Sequence, residues 1–219
     1  MTWDWDYAWD SVPPLLDAFK VTLQATVLAS VLALVLGFAL ALVQRVEARF
    51  FVARIVGAGA EFIRRTPGLI HLYFLFYVAP TLGLTLSALT AGVIALGVHF
   101  ATYTAESYRA GIEAVPRGQW DAAAALSIPR RETWIKVILP QAMPPILAAQ
   151  GTWVLIMFKG TALLSTITVV EVVSRSQQIG SDHLRYLEPT VLVGIFFLAV
   201  SYPASVLLRM YERRIATYR

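Results

Sequence analysis

The chain has 219 residues, of which 58% are hydrophobic and 15% charged, with a formal net charge of +4 and no cysteine. A soluble domain carries about 25% charged and about 45–50% apolar residues, so the composition points to a membrane protein. Disulfides and cysteine-based zinc or redox centres are excluded. The positive charge does not call for a nucleic-acid partner, because membrane orientation accounts for it.

The first ten residues, from Met1 to Asp10, are acidic and aromatic. A secretory signal has a basic start and a small-residue cleavage site, and this segment has neither, so the first hydrophobic stretch is expected to stay in the mature protein. No repeat, low-complexity tract or Gly/Ser linker interrupts the chain, and one domain over residues 1–219 is expected. A helix rises about 1.5 Å per residue across a hydrocarbon core of about 30 Å, so a span needs roughly 20 apolar residues. Val21–Val43 meets this and predicts a first span over about 16–44. Gln44–Arg65 holds two acids among five arginines and reads as an amphipathic helix leading into a second span. Thr66–Ala105 contains no Asp, Glu, Lys or Arg over 40 residues, too many for one crossing. The turn chemistry of Ala79-Pro80-Thr81-Leu82-Gly83 divides it into spans at about 60–80 and 85–113.

A polar, Ala-rich loop follows: Gly118-Gln119-Trp120-Asp121-Ala122-Ala123-Ala124-Ala125-Leu126-Ser127-Ile128-Pro129. Alanine is the best helix former and its small side chain admits a close neighbour. Ser127 and Pro129 stop the helix, which gives a short docking helix over about 117–127. Val137–Phe158 predicts a fourth span (137–159), in which Pro140, Pro144 and Pro145 should kink or delay the helix. Gly160–Val170 is apolar for only 11 residues and suits a re-entrant or interfacial piece. A fifth span is expected at 187–210. Trp3, Trp5, Trp9, Tyr186, Tyr202 and Tyr211 are expected interfacial anchors.

Five spans put the termini on opposite sides. One face holds fourteen of the eighteen basic residues and seven of the fourteen acidic ones, a balance of +7 against −3 on the other face. The positive-inside rule then places the docking loop and the C-terminus in the cytoplasm and the N-terminus outside.

Ionisable groups at membrane depth are costly and face a cavity or a partner. Glu106 and Arg109, three apart, share a helical face and suit an internal ion pair; Glu113 and Arg117, four apart, read the same way. His71 and His99 stand on apolar stretches, where hydrogen-bonded structure competes with a pathway role. Trp153 faces either a subunit partner or the pathway. No spacing of histidines and carboxylates suggests a metal. No nucleophile and base are paired for catalysis, and no Gly-x-x-x-x-Gly-Lys-Ser/Thr loop is present to bind a nucleotide.

The loop and its flanks resemble the permease subunits of bacterial ABC importers, in the polar amino-acid (histidine/glutamine) branch. Their signature runs Glu-Ala-Ala, three residues, Gly, about nine residues, Ile-x-Leu-Pro. Here it is matched by Asp121-Ala122-Ala123, Ser127 and, after a slightly longer gap, Ile138-Leu139-Pro140. Arg64-Arg65-Thr66-Pro67-Gly68-Leu69, Tyr103 with Glu106 and Arg109, Gly118-Gln119, Leu139-Pro140-Gln141-Ala142 and Lys159-x-Thr161-x-Leu163 fit the same branch. The resemblance covers about Ala60 to Glu171 together with the span plan. It implies an all-α type I importer transmembrane domain of five helices in the bacterial inner membrane, with a cytoplasmic coupling helix.

The resemblance further implies that Gly118, Asp121, Ala122, Ala123 and Ser127 meet a cytoplasmic ATPase dimer, which would hold the ATP and magnesium that this chain does not. A second permease subunit, identical or different, an extracytoplasmic substrate-binding protein and membrane lipid are the other implied partners. His71, Tyr103, Glu106, Gly160 and Thr161 are the candidate pathway residues. Gly160 stands where the family usually carries a polar or acidic group, which favours a neutral or zwitterionic amino acid, or a compatible solute of the ectoine type, over a cationic one. Asp121 in place of Glu keeps the charge on a shorter arm. Ser127 in place of Gly loses easy access to positive φ, so the end of the docking helix is expected to change slightly. An ion-coupled carrier and a membrane scaffold that recruits a soluble partner are the alternatives.

Overall fold

A computed structural model describes residues 2–45 and 50–216. Among them the main elements are α1 (Trp5–Arg45), α2 (Phe50–Arg65), α3 (Gly68–Leu82) and α4 (Ala88–Glu113). They are followed by α5 (Arg117–Ala125), α6 (Leu139–Gly160), α7 (Val172–Asp182) and α8 (Leu187–Ala216). Among the described residues, four helical stretches have the length and hydropathy to cross a membrane: Trp5–Gln44, Ala88–Glu113, Arg130–Ile167 and Leu187–Ile215.

The expected second span at 60–80 is not one helix. It breaks between α2 and α3 at Pro67, which sits at φ −57°, ψ 136°. Proline offers no N–H and pushes the residue before it out of the helical region. The α3 stretch then changes pitch, from α-helix to a π turn over Phe74–Val78 and a 3-10 turn over Ala79–Leu82. Gly83 ends it at φ 87°, a left-handed conformation that glycine takes without steric cost.

The first helix starts earlier than its apolar stretch, because Asp4 caps it: Asp4 Oδ1 accepts the backbone N–H groups of Asp6 and Tyr7 at 3.1 and 3.2 Å. Its inner face then presents Ala25, Ala29, Ala33 and Gly37 at four-residue intervals, and the three alanines are buried. These small residues let the α4 backbone come close. A Cβ on Gly37 would stand 2.8 Å from the Ala101 carbonyl oxygen, and one on Gly97 would stand 2.6 Å from a Leu32 methyl. Thr104 Oγ1 crosses the seam to donate to the Ala33 carbonyl at 2.8 Å. The main apolar core grows around this contact and includes Leu72, Leu96, Phe100, Met157, Leu164 and Ile167.

At the end of the bundle holding the N-terminus, α1 is clasped to the α7–α8 turn. Tyr7 donates to the carbonyls of Ile179 and Arg185, each at 3.1 Å. The Asp4 N–H donates to the fully buried Glu188 at 3.0 Å, and Arg185 pairs with both Asp4 and Glu188. The stretch 160–170, expected as a re-entrant piece, is a 3-10 continuation of α6 over Thr161–Ile167 that ends at Thr168 with φ 66°. Helix α7 was not anticipated. Its cap is Glu171, fully buried, which accepts the Ser174 N–H at 2.8 Å and stands 3.5 Å from the Thr22 hydroxyl of α1. Burial pushes the Glu171 carboxyl up from 4.5 to about 7, against the opposing pull of its N–H donors and Thr22.

Two tests follow from this packing. Gly37→Ala should destabilise the protein by about 1–3 kcal/mol through overpacking, read as a lower unfolding temperature in detergent. Gly194→Ala, where an added Cβ meets no atom within 4 Å, should leave that temperature unchanged. Between pH 4.5 and about 7 the folded Glu171 holds a proton that the unfolded chain releases, so its contribution to stability falls as pH rises through that window. Glu171→Gln should therefore raise the unfolding temperature relative to wild type at pH 8, with the difference vanishing near pH 4.5.

Candidate functional site

Helix α5 leaves the bundle after Pro116 and returns through the turns that open α6. Its outward side carries Arg117, Gly118, Gln119, Asp121, Ala122, Ala124 and Ala125, all exposed. Ala123 does not belong with them. It is 4% exposed, because a residue three positions after the half-buried Trp120 returns to the inner face. Trp120 meets Trp134 edge to face, with centroids 5.1 Å apart. Both pack on a cluster of Val115, Ile138, Ala142 and Ile146, which joins the end of α4 to the start of α6. Gln141 Nε2 donates to Gln119 Oε1 at 3.3 Å and to the Val137 carbonyl at 2.8 Å. The short helix is thus fastened to two long ones.

The expected change at the end of this helix does not occur. Ser127 itself takes the left-handed conformation, at φ 53°. Ile128 N–H then donates to Ala123 O and Ser127 N–H to Ala124 O, both at 3.0 Å, the bond pattern of a glycine-terminated helix. The serine pays in local strain of about 1–2 kcal/mol rather than in a different turn.

A groove of about 330 Å³ runs along α4 and α6, lined by Tyr103, Glu106, Ser107, Ala110, Gly111, Ala114, Pro145, Ala149 and Trp153. Tyr103 and Trp153 stack with centroids 4.6 Å apart. Trp153 Nε1 donates to Ser107 Oγ at 2.9 Å, and the Tyr103 hydroxyl donates to the Arg64 carbonyl at 3.1 Å. Glu106 is held by Arg109, with Arg64 3.6 Å away. Arg109 also reaches Glu113 at 2.9 Å, so Glu113 is bonded one turn back along α4 rather than forward to Arg117 as expected.

The other candidates divide. Gly160 lies beside Phe100, and a Cβ there would meet only that ring's edge, at 3.9 Å. Thr161 is fully buried and donates to the Phe158 carbonyl at 2.6 Å, so it faces the core and not the groove. His71 and His99, on different helices, lie with ring centroids 5.3 Å apart. His99 also touches Phe100 and Tyr103, each with centroids 5.4 Å away. Trp153, which the sequence left undecided, is placed on the groove; His99 stands behind it, against Phe100 and Tyr103. Aromatic residues on an apolar helix look the same whether they face core, lipid or groove.

Residues 33–217 match the family of binding-protein-dependent transport system inner membrane components. The chain belongs to that family. It is therefore a multi-pass inner-membrane protein. A probable amino-acid ABC transporter permease of Sinorhizobium fredii is 37% identical over 216 residues, covering 96% of this chain and 93% of the relative. The glutamine transport system permease protein of Escherichia coli K12 is 31% identical, covering 98% of each chain. A crystal structure of an amino acid ABC transporter with histidines superposes with a TM-score of 0.92 at 31% identity, over 98% of this chain and 100% of that one. The methionine ABC transporter MetNI in an inward-facing conformation shares the fold, with a TM-score of 0.73 at 19% identity, over 91% of this chain and 97% of the other. The architecture is that of a type I importer transmembrane domain, and the family match runs from within α1 through α8.

The strained end of α5 gives a direct test. Ser127→Gly should relieve the left-handed strain and stabilise the turn by about 1 kcal/mol, seen as slower amide exchange at Ser127 and Ile128 and no loss of unfolding temperature.

Proposed function

We propose that this chain is the permease subunit of an ATP-driven importer for a polar amino acid or an amino-acid-like solute. The observation that carries the reading is α5, a polar alanine helix fastened through Trp120 and Trp134 to α4 and α6, the two helices that line the groove. A push on such a helix moves the groove walls together, because packed interiors shift as units and do not deform continuously. The relatives' names supply the amino-acid class.

In this reading α5 lies in the cytoplasm, as does the C-terminus, and the N-terminal clasp lies outside. A separate pair of ATPase subunits holds ATP and magnesium beneath α5. A binding protein delivers the solute to the outer, acidic face, and a second permease subunit completes the pathway. Closure of the ATPases on ATP displaces α5, the linked ends of α4 and α6 follow, and the groove changes the side to which it opens. Hydrolysis resets it. Asp121 supplies a carboxylate for a cation on the ATPase, and Ala122 and Ala125 allow close approach. Gly118 and the Ser127 turn frame the contact, while Ala123 seats the helix from within. His71, Tyr103, Glu106 and Gly160 border the pathway. Glu106 does so as part of a neutralised ion pair.

The complete system in proteoliposomes provides the test. ATP hydrolysis should depend on this chain and rise when loaded binding protein is present. Asp121→Arg combined with Ala122→Trp changes only the outward face of α5, and should cut uptake at least about tenfold by blocking the contact while the helices stay folded. Full uptake by that double variant would contradict the docking role. Uptake that persists without the ATPase, driven by an ion gradient, would replace the whole reading with a secondary carrier.

A further inference from the structure

The imidazoles of His71 and His99 carry more hydrogen-bonding capacity than the fold uses. Both ring nitrogens of His71 and Nδ1 of His99 are buried with no hydrogen-bond partner. Such groups are costly to leave unmet, and three of them gather where α3 faces α4. The rings are tilted at 44° with centroids 5.3 Å apart. Through Tyr103, which touches His99 and stacks on Trp153, the pair continues the aromatic wall of the groove.

The chemistry of the pair is specific. Nδ1 of a neutral His99 is either one N–H donor or one lone-pair acceptor, according to tautomer. Neutral His71 offers one donor and one acceptor in either tautomer. Together the three unmet nitrogens present a mixed set of N–H donors and lone pairs. A carboxylate only accepts and an ammonium only donates, so each leaves part of this set unmet. A primary carboxamide has two N–H donors and one carbonyl; it meets the set on both counts, and group for group in the tautomer that leaves a lone pair on His99 Nδ1. The surroundings add no competing charge: Glu106 is committed to Arg109 and Arg64, and Gly160 contributes no side chain beside Phe100.

We propose that the His71–His99 pair recognises the side-chain carboxamide of the transported solute, which makes glutamine and asparagine the cargo class. This rests on the permease reading above and narrows it. The nitrogens are covered in this conformation, so recognition belongs to a state in which α3 and α4 part towards the groove.

The test is equilibrium binding of radiolabelled L-glutamine and its near-isostere L-glutamate to the purified permease–ATPase complex, without the binding protein, so that only the permease site is read. Glutamine should bind at least about tenfold more tightly, the worth of one neutral hydrogen bond. His71→Phe and His99→Phe keep a ring and remove its nitrogens, and each should shrink the preference. Equal binding of the two ligands, tighter binding of glutamate, or a full preference in both phenylalanine variants would overturn the proposal. If a variant does not assemble, the wild-type ratio decides by itself. ATP-driven uptake of a panel of amino acids, measured on the same complex with its binding protein, separates the two levels. Uptake without discrimination between glutamine and glutamate at the complex sinks only the histidine assignment, whereas no ATP-driven uptake of any amino acid sinks the permease reading.

Discussion

Close approach of α1 and α4 is the constraint on which the rest of the bundle depends. In lipid there is no hydrophobic force between apolar helices, so association rests on packing contact and hydrogen bonds. The Ala25-Ala29-Ala33-Gly37 stripe supplies the contact, and Thr104, donating to the Ala33 carbonyl, supplies a bond across the seam. With one face of α4 fixed in this way, its other face is left to carry Tyr103, Glu106 and Ser107 along the groove. The same helix is therefore packed on one side and open to the groove on the other. Helix α8, by contrast, exposes Val191, Ile195, Leu198 and Leu207 and has the surface of a helix that meets lipid.

Mechanical connection runs from α5 into this fixed helix. Trp120, Trp134 and the apolar cluster beneath them bridge α4 and α6 at one end. Close packing continues further along, where Gly111 lies against Ile146 and Gln150 Nε2 donates to the Thr104 carbonyl at 3.2 Å. At the opposite end, the Asp4–Tyr7–Arg185–Glu188 clasp and the buried Glu171 tie α1 to α7 and α8. The two ends are held by different means, apolar packing at one and charge-assisted bonds at the other.

Electrostatics explains the character of the groove. The carboxylate that lines it, Glu106, lies within reach of two arginines, so its negative charge is largely neutralised. The remaining wall is built from Tyr103, Trp153, Ser107 and small residues, which offer ring faces and uncharged surface. Such a wall carries little net charge.

Much of the architecture was legible in the sequence, because hydropathy and helix propensity are local properties: apolar runs mark the long helices, and Ala and Pro mark α5. The candidate site was legible only in part. The sequence could name Tyr103, Glu106 and His71, but not turn Ala123 and Thr161 inward, pair Arg109 with both Glu106 and Glu113, or bring His99 against His71. Nor did it reveal the break at Pro67 as the end of a helix, or α7, whose cap Glu171 draws its second contact from Thr22 on a distant helix. Chain composition by itself thus determined that this protein is a helical membrane bundle with a short polar helix between spans. Which face of each helix looks inward was decided by the tertiary structure, because that choice depends on contacts between residues far apart in the chain.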